Sequence, residues 1–288
     1  MEFAQASAKK ASLEEVKEAM KKDERCIILK RFSRNKLAVY GLMILFFLAV
    51  IAILAPVIKP AGPYFLDVSN RLASPGNGHL LGTDTFGRDL LARILYGTRI
   101  SLEIGASVSL LSLVFGLIIG LYASYYKFLD QILMRICDGI SAIPAILLAI
   151  AFMAVLGSST KNVILSLSMV YIPTVARIAR SQALSIMELT YIEAMRALGA
   201  SPTRIIWRHI APNILSPVIV QTSFVFAKAI ITEAALSFLG VGVPVPTPSL
   251  GNILYEAKTV IYKAWWMVVY PGGVTALSIL GLNMVTSK

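Results

Sequence analysis

The sequence predicts an all-α polytopic membrane protein with six transmembrane helices. Of its 288 residues, 57% are hydrophobic and only 15% are charged, whereas soluble domains carry about 25% charged residues. Apolar runs long enough to cross about 30 Å of hydrocarbon recur along the chain. Turn-forming residues break the runs, as Pro60, Gly62 and Pro63 do after the first.

The apolar runs divide the chain into a charged N-terminal segment, residues 1–36, and a transmembrane domain, residues 37–288. Ser12-Leu-Glu-Glu15 has capping-box spacing and predicts a short surface helix in the first part. Pro144 lies near the start of the third span, and the turn Gly157-Ser-Ser-Thr160 precedes the fourth. The predicted spans are 37–58, 102–125, 140–156, 163–183, 215–239 and 264–285.

The distribution of basic residues predicts that both termini are cytoplasmic. In this orientation 18 Lys and Arg residues lie on the cytoplasmic side and 8 on the other, with Lys228 inside the fifth span. Because cytoplasmic loops retain basic residues, the reverse orientation is disfavoured. The preferred one gives a periplasmic loop at 60–100 and a cytoplasmic loop at 184–214. It also accounts for the net charge of +11 without nucleic acid, since no soluble basic domain is evident.

A polar segment of the cytoplasmic loop predicts two short helices around a sharp turn. Thr190 and Glu193 have the spacing of a helix start. Gly199 can adopt the left-handed conformation that ends a helix. Pro202 suits the first position of a second helix, which we expect Pro212 to stop. Neither piece is long enough to cross the bilayer on these bounds.

The first of these short helices carries an apolar stripe. Tyr191, Ala194, Met195 and Leu198 fall on one face at helical spacing. A compact apolar stripe flanked by Arg and Glu is typical of a docking site for another protein. An amphipathic hairpin lying on lipid has the same periodicity, so periodicity alone leaves both interpretations open.

Three sequence features of this segment resemble the EAA loop of bacterial ABC-importer permeases. They are Glu193-Ala-Met195, Gly199 and Ile210-Ala-Pro212. Met195 stands where the family usually has Ala, and Ala211 where it commonly has Leu. The resemblance implies that the segment inserts into a cleft of a cytoplasmic ATPase. The residues that it assigns to coupling are Tyr191, Glu193, Ala194, Met195, Leu198, Gly199, Arg204, Arg208 and Pro212.

Other motifs resemble the second permease of dipeptide, oligopeptide and nickel importers. His79-Leu-Leu-Gly-Thr-Asp-Thr-Phe-Gly-Arg-Asp89 is similar to its G-T-D-x-x-G-R-D signature. Asp130-x-x-Leu-Met-Arg135-x-x-Asp138 is similar to its second cytoplasmic loop, and Glu233-Ala-Ala-Leu-Ser-Phe-Leu-Gly240 to its fifth span. The resemblance extends from about residue 30 to about residue 283. It implies the type I ABC-importer permease fold.

The G-T-D-x-x-G-R-D motif has two interpretations. One is a structured turn in which Asp84 caps the backbone while Arg88 and Asp89 form local ion pairs. The other is a periplasmic gate or a contact for a binding protein. The residues concerned are Gly82, Thr83, Asp84, Gly87, Arg88 and Asp89.

Lys228 and Glu233 are charged residues inside the predicted fifth span. A charge at the bilayer centre costs about 2.5–3.5 kcal/mol, so such residues usually face a partner or an aqueous path. We expect both to face the translocation path or a partner permease, with Lys228 a candidate for substrate selectivity. A buried structural pair is the alternative interpretation.

The resemblance implies a transport subunit of an ATP-driven importer and not an enzyme. The expected cargo is di- or oligopeptides, with nickel chelates, glutathione or oligosaccharides as alternatives. The expected partners are a homologous second permease, two cytoplasmic ATPases that hold ATP and magnesium, an extracytoplasmic substrate-binding protein and membrane lipid. We expect no nucleic acid partner, no cofactor or metal on this chain, and no disulfide between Cys26 and Cys137.

Two other classes of function fit less well. A self-contained secondary transporter would use intramembrane carboxylates for ion coupling, and only Glu233 and Glu103 qualify; nor does this class explain a cytoplasmic helix-turn-helix. A membrane enzyme would show clustered nucleophiles, bases or metal ligands, and His79 and His209 lie on opposite sides of the predicted membrane. No phosphate-binding Gly-Lys-Ser/Thr loop occurs in the sequence.

Overall fold

The computed structural model describes residues 36–76 and 78–286, and within them the only β-bridges are two isolated ones, Gly76 with His79 and Thr83 with Asp89. The rest is helix, turn and loop. The predicted surface helix at residues 12–22, and Cys26, lie outside the described residues. The helices are α1 (Lys36–Ile58), α2 (Leu90–Tyr125), α3 (Lys127–Ser141), α4 (Ala145–Leu156), α5 (Thr160–Met187), α6 (Thr190–Ala197), α7 (Pro202–Phe238), α8 (Leu250–Ala257) and α9 (Trp266–Thr286).

In the described part of the chain, five helices are long and apolar enough to cross a membrane: α1, α2, α5, α7 and α9. A sixth crossing requires α3 and α4 together, and these two helices meet at an angle of 95°. The all-α membrane fold is confirmed. The first, fourth, fifth and sixth predicted spans each lie within or nearly coincide with one long helix.

The predicted third span, 140–156, is wrong as a continuous helix. The chain breaks at Pro144, and α4 begins only at Ala145 and ends at Leu156. Proline lacks a backbone N–H, and its ring disfavours the helical conformation of the preceding residue. With 12 residues, α4 is about 18 Å long, which is less than the hydrocarbon thickness.

The second span is longer than the predicted 102–125. Helix α2 starts at Leu90 because the side chain of Asp89 accepts a hydrogen bond from the backbone N–H of Ala92 and so caps the helix. Its 36 residues extend about 54 Å, so the helix continues well beyond the hydrocarbon core. The G-T-D-x-x-G-R-D motif therefore leads directly into a spanning helix.

The centre of the molecule is the packing of α2 against α5 and α7. Gly116 and Gly120 of α2 face Val175 and Ala176 of α5 so closely that a Cβ on Gly120 would lie 2.6 Å from the Ala176 carbonyl oxygen. Small residues at such positions let helix backbones approach in a membrane. The core around this seam is apolar, with Ile104, Val108, Leu167, Val218 and Val225 fully buried.

Helices α1 and α9 pack against each other at the edge of the molecule. A Cβ on Gly41 would lie 2.5 Å from the carbonyl oxygen of Gly281, so the two backbones touch there. Helix α1 also contacts α2, and much of its other surface is apolar and exposed, with Phe46 and Phe47 among the exposed side chains. A helix that is apolar all round and exposed on one side suits contact with lipid.

Candidate functional site

The loop between α5 and α7 forms a tight helical turn at Gly199. Helix α6 ends there, and Gly199 has φ +76°, the left-handed conformation predicted from the sequence. The N–H of Ala200 donates to the Met195 carbonyl at 3.0 Å, and the N–H of Gly199 donates to the Arg196 carbonyl at 3.0 Å. This pair of hydrogen bonds is the Schellman motif, which satisfies the last carbonyls of the helix.

The start of α6 differs from the predicted capping box. Leu189 occupies the cap position, Thr190 is the first helical residue, and no side chain caps the helix. Only Glu188 and Leu189 connect α5 to α6, and Leu189 is extended, with φ −77° and ψ 136°. Its carbonyl accepts from the N–H of Ile192 at 2.9 Å. The short connection, and not a Thr side chain, sets where the helix begins.

The second helix does not stop at Pro212, so that prediction is wrong. Pro202 starts it, as predicted, after Ser201. A π-helical segment, Ile205–Ile210, then joins it to the fifth span as the single helix α7. In a π turn each N–H donates to the carbonyl five residues earlier instead of four. This change of pattern comes just before Pro212, which has no N–H to donate, and the helix continues past the proline. The projecting turn is therefore an extension of a spanning helix.

The predicted apolar stripe of α6 is split between two faces. Met195 packs against the core, and Ile192, which the sequence reasoning missed, is fully buried. Tyr191 and Leu198 point outward, and Leu198 is 86% exposed. The three-residue spacing of Ile192 and Met195 was the signal for the inner face. The other exposed residues of the predicted coupling set are Glu193, Ala194, Gly199, Arg204, Arg208 and Pro212.

Two contacts fix the turn against the spanning helices. The Arg196 guanidinium lies 5.2 Å from the centroid of the Tyr125 ring at the end of α2, a cation–π distance. The Asn213 side-chain amide lies 3.5 Å from the Tyr191 hydroxyl. These contacts connect the turn to α2 and α7.

The G-T-D-x-x-G-R-D motif folds into a buried ion cluster. Asp84 is completely buried, and its Oδ1 accepts from the N–H groups of Phe86 at 2.8 Å and Arg88 at 2.9 Å. Its Oδ2 lies 2.5 Å from Arg88 Nε and 2.7 Å from Arg93 Nη1. The backbone cap and the local Asp84–Arg88 pair agree with the structured-turn interpretation.

Glu256 of α8 completes the cluster, and the sequence reasoning missed it. Its Oε2 lies 2.5 Å from Arg93 Nη1 and 2.8 Å from Arg88 Nη2, and its Oε1 lies 3.0 Å from Arg93 Nη2. Two arginines and two carboxylates therefore balance in charge. No local sequence signal pointed to this pair, because Arg93 and Glu256 are 163 residues apart and the sequence predicts Arg93 in the loop at 60–100.

Helix α8 packs closely against both α2 and α7. A Cβ on Gly251 would lie 2.2 Å from the Ala234 carbonyl oxygen, and one on Gly97 would lie 3.2 Å from the Ser249 carbonyl carbon. The Asn252 amide donates to the carbonyls of Val243 at 3.2 Å and Thr247 at 3.1 Å. The ion cluster thus ties this packed helix to the loop before α2.

Asp89 belongs to a second, more open ion pair. Its Oδ2 lies 2.9 Å from Lys59 Nζ and 3.0 Å from His79 Nδ1. Burial raises the pKa of Asp89, but hydrogen bonds from the Ala92 N–H, His79 and Lys59 outweigh it and hold the pKa below its usual value. The carboxylate joins the end of α1 to the start of α2.

The two charged residues of the fifth span lie in different environments. Glu233 is completely buried, and its carboxylate accepts from the hydroxyls of Ser101 at 2.8 Å and Ser237 at 2.8 Å. Lys228 is exposed. In the described ranges they form no ion pair with each other. Glu233 thus packs inside this chain, and its predicted place beside the translocation path or a partner permease remains a prediction.

The same described ranges contain no group of three or more His, Cys, Asp or Glu side chains placed to hold a metal ion. Cys137 is buried and has no disulfide partner within these ranges. Its predicted lack of a bond to Cys26 remains a prediction, because Cys26 lies outside the described residues.

Comparison with known proteins identifies the family. Residues 112–287 match the family model of the binding-protein-dependent transport system inner membrane component. The chain belongs to this family. Residues 27–75 also match the N-terminal transmembrane domain of oligopeptide transport permease C. The protein is therefore a multi-pass membrane permease and not itself the ATPase, and it works with ATPase and binding-protein partners.

Several relatives of this permease are similar over most of their length. A putative peptide transport system permease of Brucella abortus is 45% identical over 256 residues, covering 89% of this chain and 86% of the relative. A dipeptide transport permease of Alkalihalophilus pseudofirmus is 42% identical, covering 89% and 84%. A glutathione transport permease of Pectobacterium atrosepticum is 39% identical, covering 89% and 86%.

A solved structure shares the fold of the permease. It is an inward-facing structure of the MetNI methionine ABC transporter, with a TM-score of 0.52, 20% identity, and coverage of 68% of this chain and 96% of that chain. This likeness confirms the predicted type I ABC-importer permease fold.

Proposed function

We propose that the permease forms half of the translocation path of an ATP-driven importer for di- or oligopeptides. The relatives named for peptides and dipeptides support this cargo. Glutathione is itself a small peptide, and a relative is named for its transport. Nickel chelates and oligosaccharides remain the alternative cargoes of the same importer type.

The exposed helical turn at Gly199 carries the proposed coupling to the ATPase. It presents Tyr191, Ala194 and Leu198 outward on a helix whose opposite face is anchored by Ile192. An apolar residue as exposed as Leu198, in a segment that also exposes Glu193 and Arg204, suits a cleft of a protein partner. The contacts to α2 and α7 would carry motion of this partner into the spans.

The proposed orientation places this turn, and both termini, in the cytoplasm. The excess of basic residues on that side supports it. The proposed assembly contains a homologous second permease, two ATPases that hold ATP and magnesium, and an external substrate-binding protein, with lipid around the apolar faces. The proposed division of the chain is a cytoplasmic segment at 1–36 and a permease domain at 37–288.

The external motif has a proposed role at the outer gate or in contact with the binding protein. Asp84 and Arg88 are buried, so they would act by positioning the loop and not by touching a partner. Phe86, which is exposed and lies under the Arg88 guanidinium at 4.8 Å, is the part of the motif that a partner could contact. Gly82, Thr83, Gly87 and Asp89 would hold its backbone.

Substitution of Gly199 by Val tests the coupling. No atom lies within 4 Å of a Cβ at this position, but φ is +76°, so the substitution strains the backbone without a steric clash. We expect membrane insertion and assembly to persist while ATP-dependent uptake of dialanine falls and ATP hydrolysis continues. Both activities are measured in proteoliposomes that contain the complete importer.

Gly157→Val is the matched control. Gly157 also has a positive φ, +81°, and open space around its Cβ, but it lies between α4 and α5 at the opposite end of the spans. We expect Gly157→Val to have the wild-type ratio of uptake to ATP hydrolysis. Normal coupling in Gly199→Val would contradict the proposed role of the turn.

A further inference from the structure

Lys228 is a charged side chain about halfway along the membrane depth of α7. It lies ten residues before the end of the helix at Phe238, which corresponds to about 15 Å or half the hydrocarbon thickness. Its four-carbon stem is too short to bring the ammonium to the membrane surface over that distance. An exposed ammonium at this depth therefore faces an aqueous path or another protein, and not lipid.

The nearest carboxylate in sequence does not neutralise this ammonium. Glu233 is committed to Ser101 and Ser237 on the buried side of α7. In residues 36–76 and 78–286, no carboxylate oxygen lies within the 4.0 Å limit of an ion pair with Lys228. The positive charge is thus available to a ligand from outside the described chain.

The backbone that carries Lys228 is held in place. The Tyr171 hydroxyl of α5 lies 2.7 Å from the Thr232 hydroxyl and 3.4 Å from the Lys228 carbonyl oxygen. Thr232 donates to the same carbonyl at 2.8 Å. These bonds fix this turn of α7 on α5 while the ammonium remains exposed, which reduces the ordering cost of binding an anion.

We propose that Lys228 binds the free carboxylate of the cargo as it passes through the permease. This inference rests on the proposed peptide importer, because every unmodified linear peptide ends in a carboxylate. A compact ammonium with three donors suits a carboxylate that must bind and then leave. Lipid phosphate does not reach this depth. A carboxylate of the partner permease is the rival ligand, which the experiment separates.

The experiment compares dialanine with dialanine amide, which lacks the carboxylate. Uptake is measured with the complete importer in proteoliposomes, with saturating binding protein loaded with either probe, so that recognition by the binding protein does not enter the ratio. We expect the wild type to favour dialanine. Lys228→Met is expected to lower dialanine uptake about tenfold, the scale of one hydrogen bond to a charged group, without lowering amide uptake.

Two further variants test whether the effect depends on the positive charge and on its position. Lys228→Arg keeps the cation and should retain the preference. Lys263→Met removes an exposed cation from the loop before α9 and should behave as the wild type. Every complex is checked for co-purification of all its subunits.

Each other outcome overturns the proposal in a recognisable way. If Lys228→Met keeps the preference for dialanine, the carboxylate assignment is wrong although peptide import stands. If Lys228→Met fails to assemble while Lys228→Arg assembles, the ammonium pairs with the partner permease and not with cargo. If the wild-type importer takes up neither probe, the proposed peptide function fails, and this inference fails with it.

Discussion

The turn at Gly199 and the ion cluster around Arg93 stand in opposite physical situations. The turn is exposed, is held by a few contacts and presents apolar side chains to the outside. The cluster is buried and joins two arginines to two carboxylates from distant parts of the chain. Both begin as conspicuous polar motifs in an apolar sequence. The difference in burial distinguishes their roles: the exposed turn suits contact with a partner, whereas the buried cluster stabilises the fold.

The largest effect is expected from Glu256→Gln. It leaves two buried arginines with one carboxylate, and breaking a buried ion pair costs about 3–5 kcal/mol. We expect a marked fall in the thermal unfolding temperature of the purified complex. The double variant Arg93→Met with Glu256→Gln retains the balanced Asp84–Arg88 pair, so it should be more stable than Glu256→Gln alone. If the Glu256→Gln complex is as stable as wild type, the ion cluster does not stabilise the fold, and the two regions do not differ in this respect.

A smaller effect, of a different kind, is expected from Leu198→Asp. Loss of a hot-spot contact at the centre of an interface costs about 2 kcal/mol or more of binding energy, while an exposed residue contributes little to the fold. We expect ATPase co-purification to fall at an unchanged unfolding temperature. Leu80→Asp is the matched control, because Leu80 is also strongly exposed, at 72%, but lies in the other loop. Equal ATPase recovery from both variants would argue against the docking surface.

The smallest effect is expected from Asp89→Asn, in the open ion pair beside the cluster. Because the pKa of Asp89 is held below its ordinary value of 3.8, the ionised carboxylate stabilises the fold above that pH. This contribution is lost as the pH falls through the lowered pKa. We expect a loss of about 1 kcal/mol at neutral pH.

Unfolding temperatures of Asp89→Asn and wild type, measured from neutral pH down to about pH 3, check this linkage. The difference between them should shrink at the acid end. A constant difference would mean that the carboxylate charge is not the stabilising feature.

The sequence predicted what local chemistry determines. The left-handed turn at Gly199 and the helix start at Pro202 follow from the conformations those two residue types permit. The predicted start of α6 at Thr190 is right, but the predicted side-chain cap is absent; burial of Ile192 and the short link from α5 set this end of the helix instead. The partner of Arg93 lies 163 residues away, which no local spacing can show. The coupling role of the turn remains a prediction from resemblance.

The continuity of α7 has a mechanical consequence. Its 37 residues form a lever about 55 Å long, with the turn at one end and the contact of Ala234 with Gly251 near the other. A tilt of about 10° around its middle would move each end by about 5 Å, close to one helical turn. A short displacement of the end that carries the turn would then reposition the opposite end of the same helix, without a series of side-chain rearrangements between them.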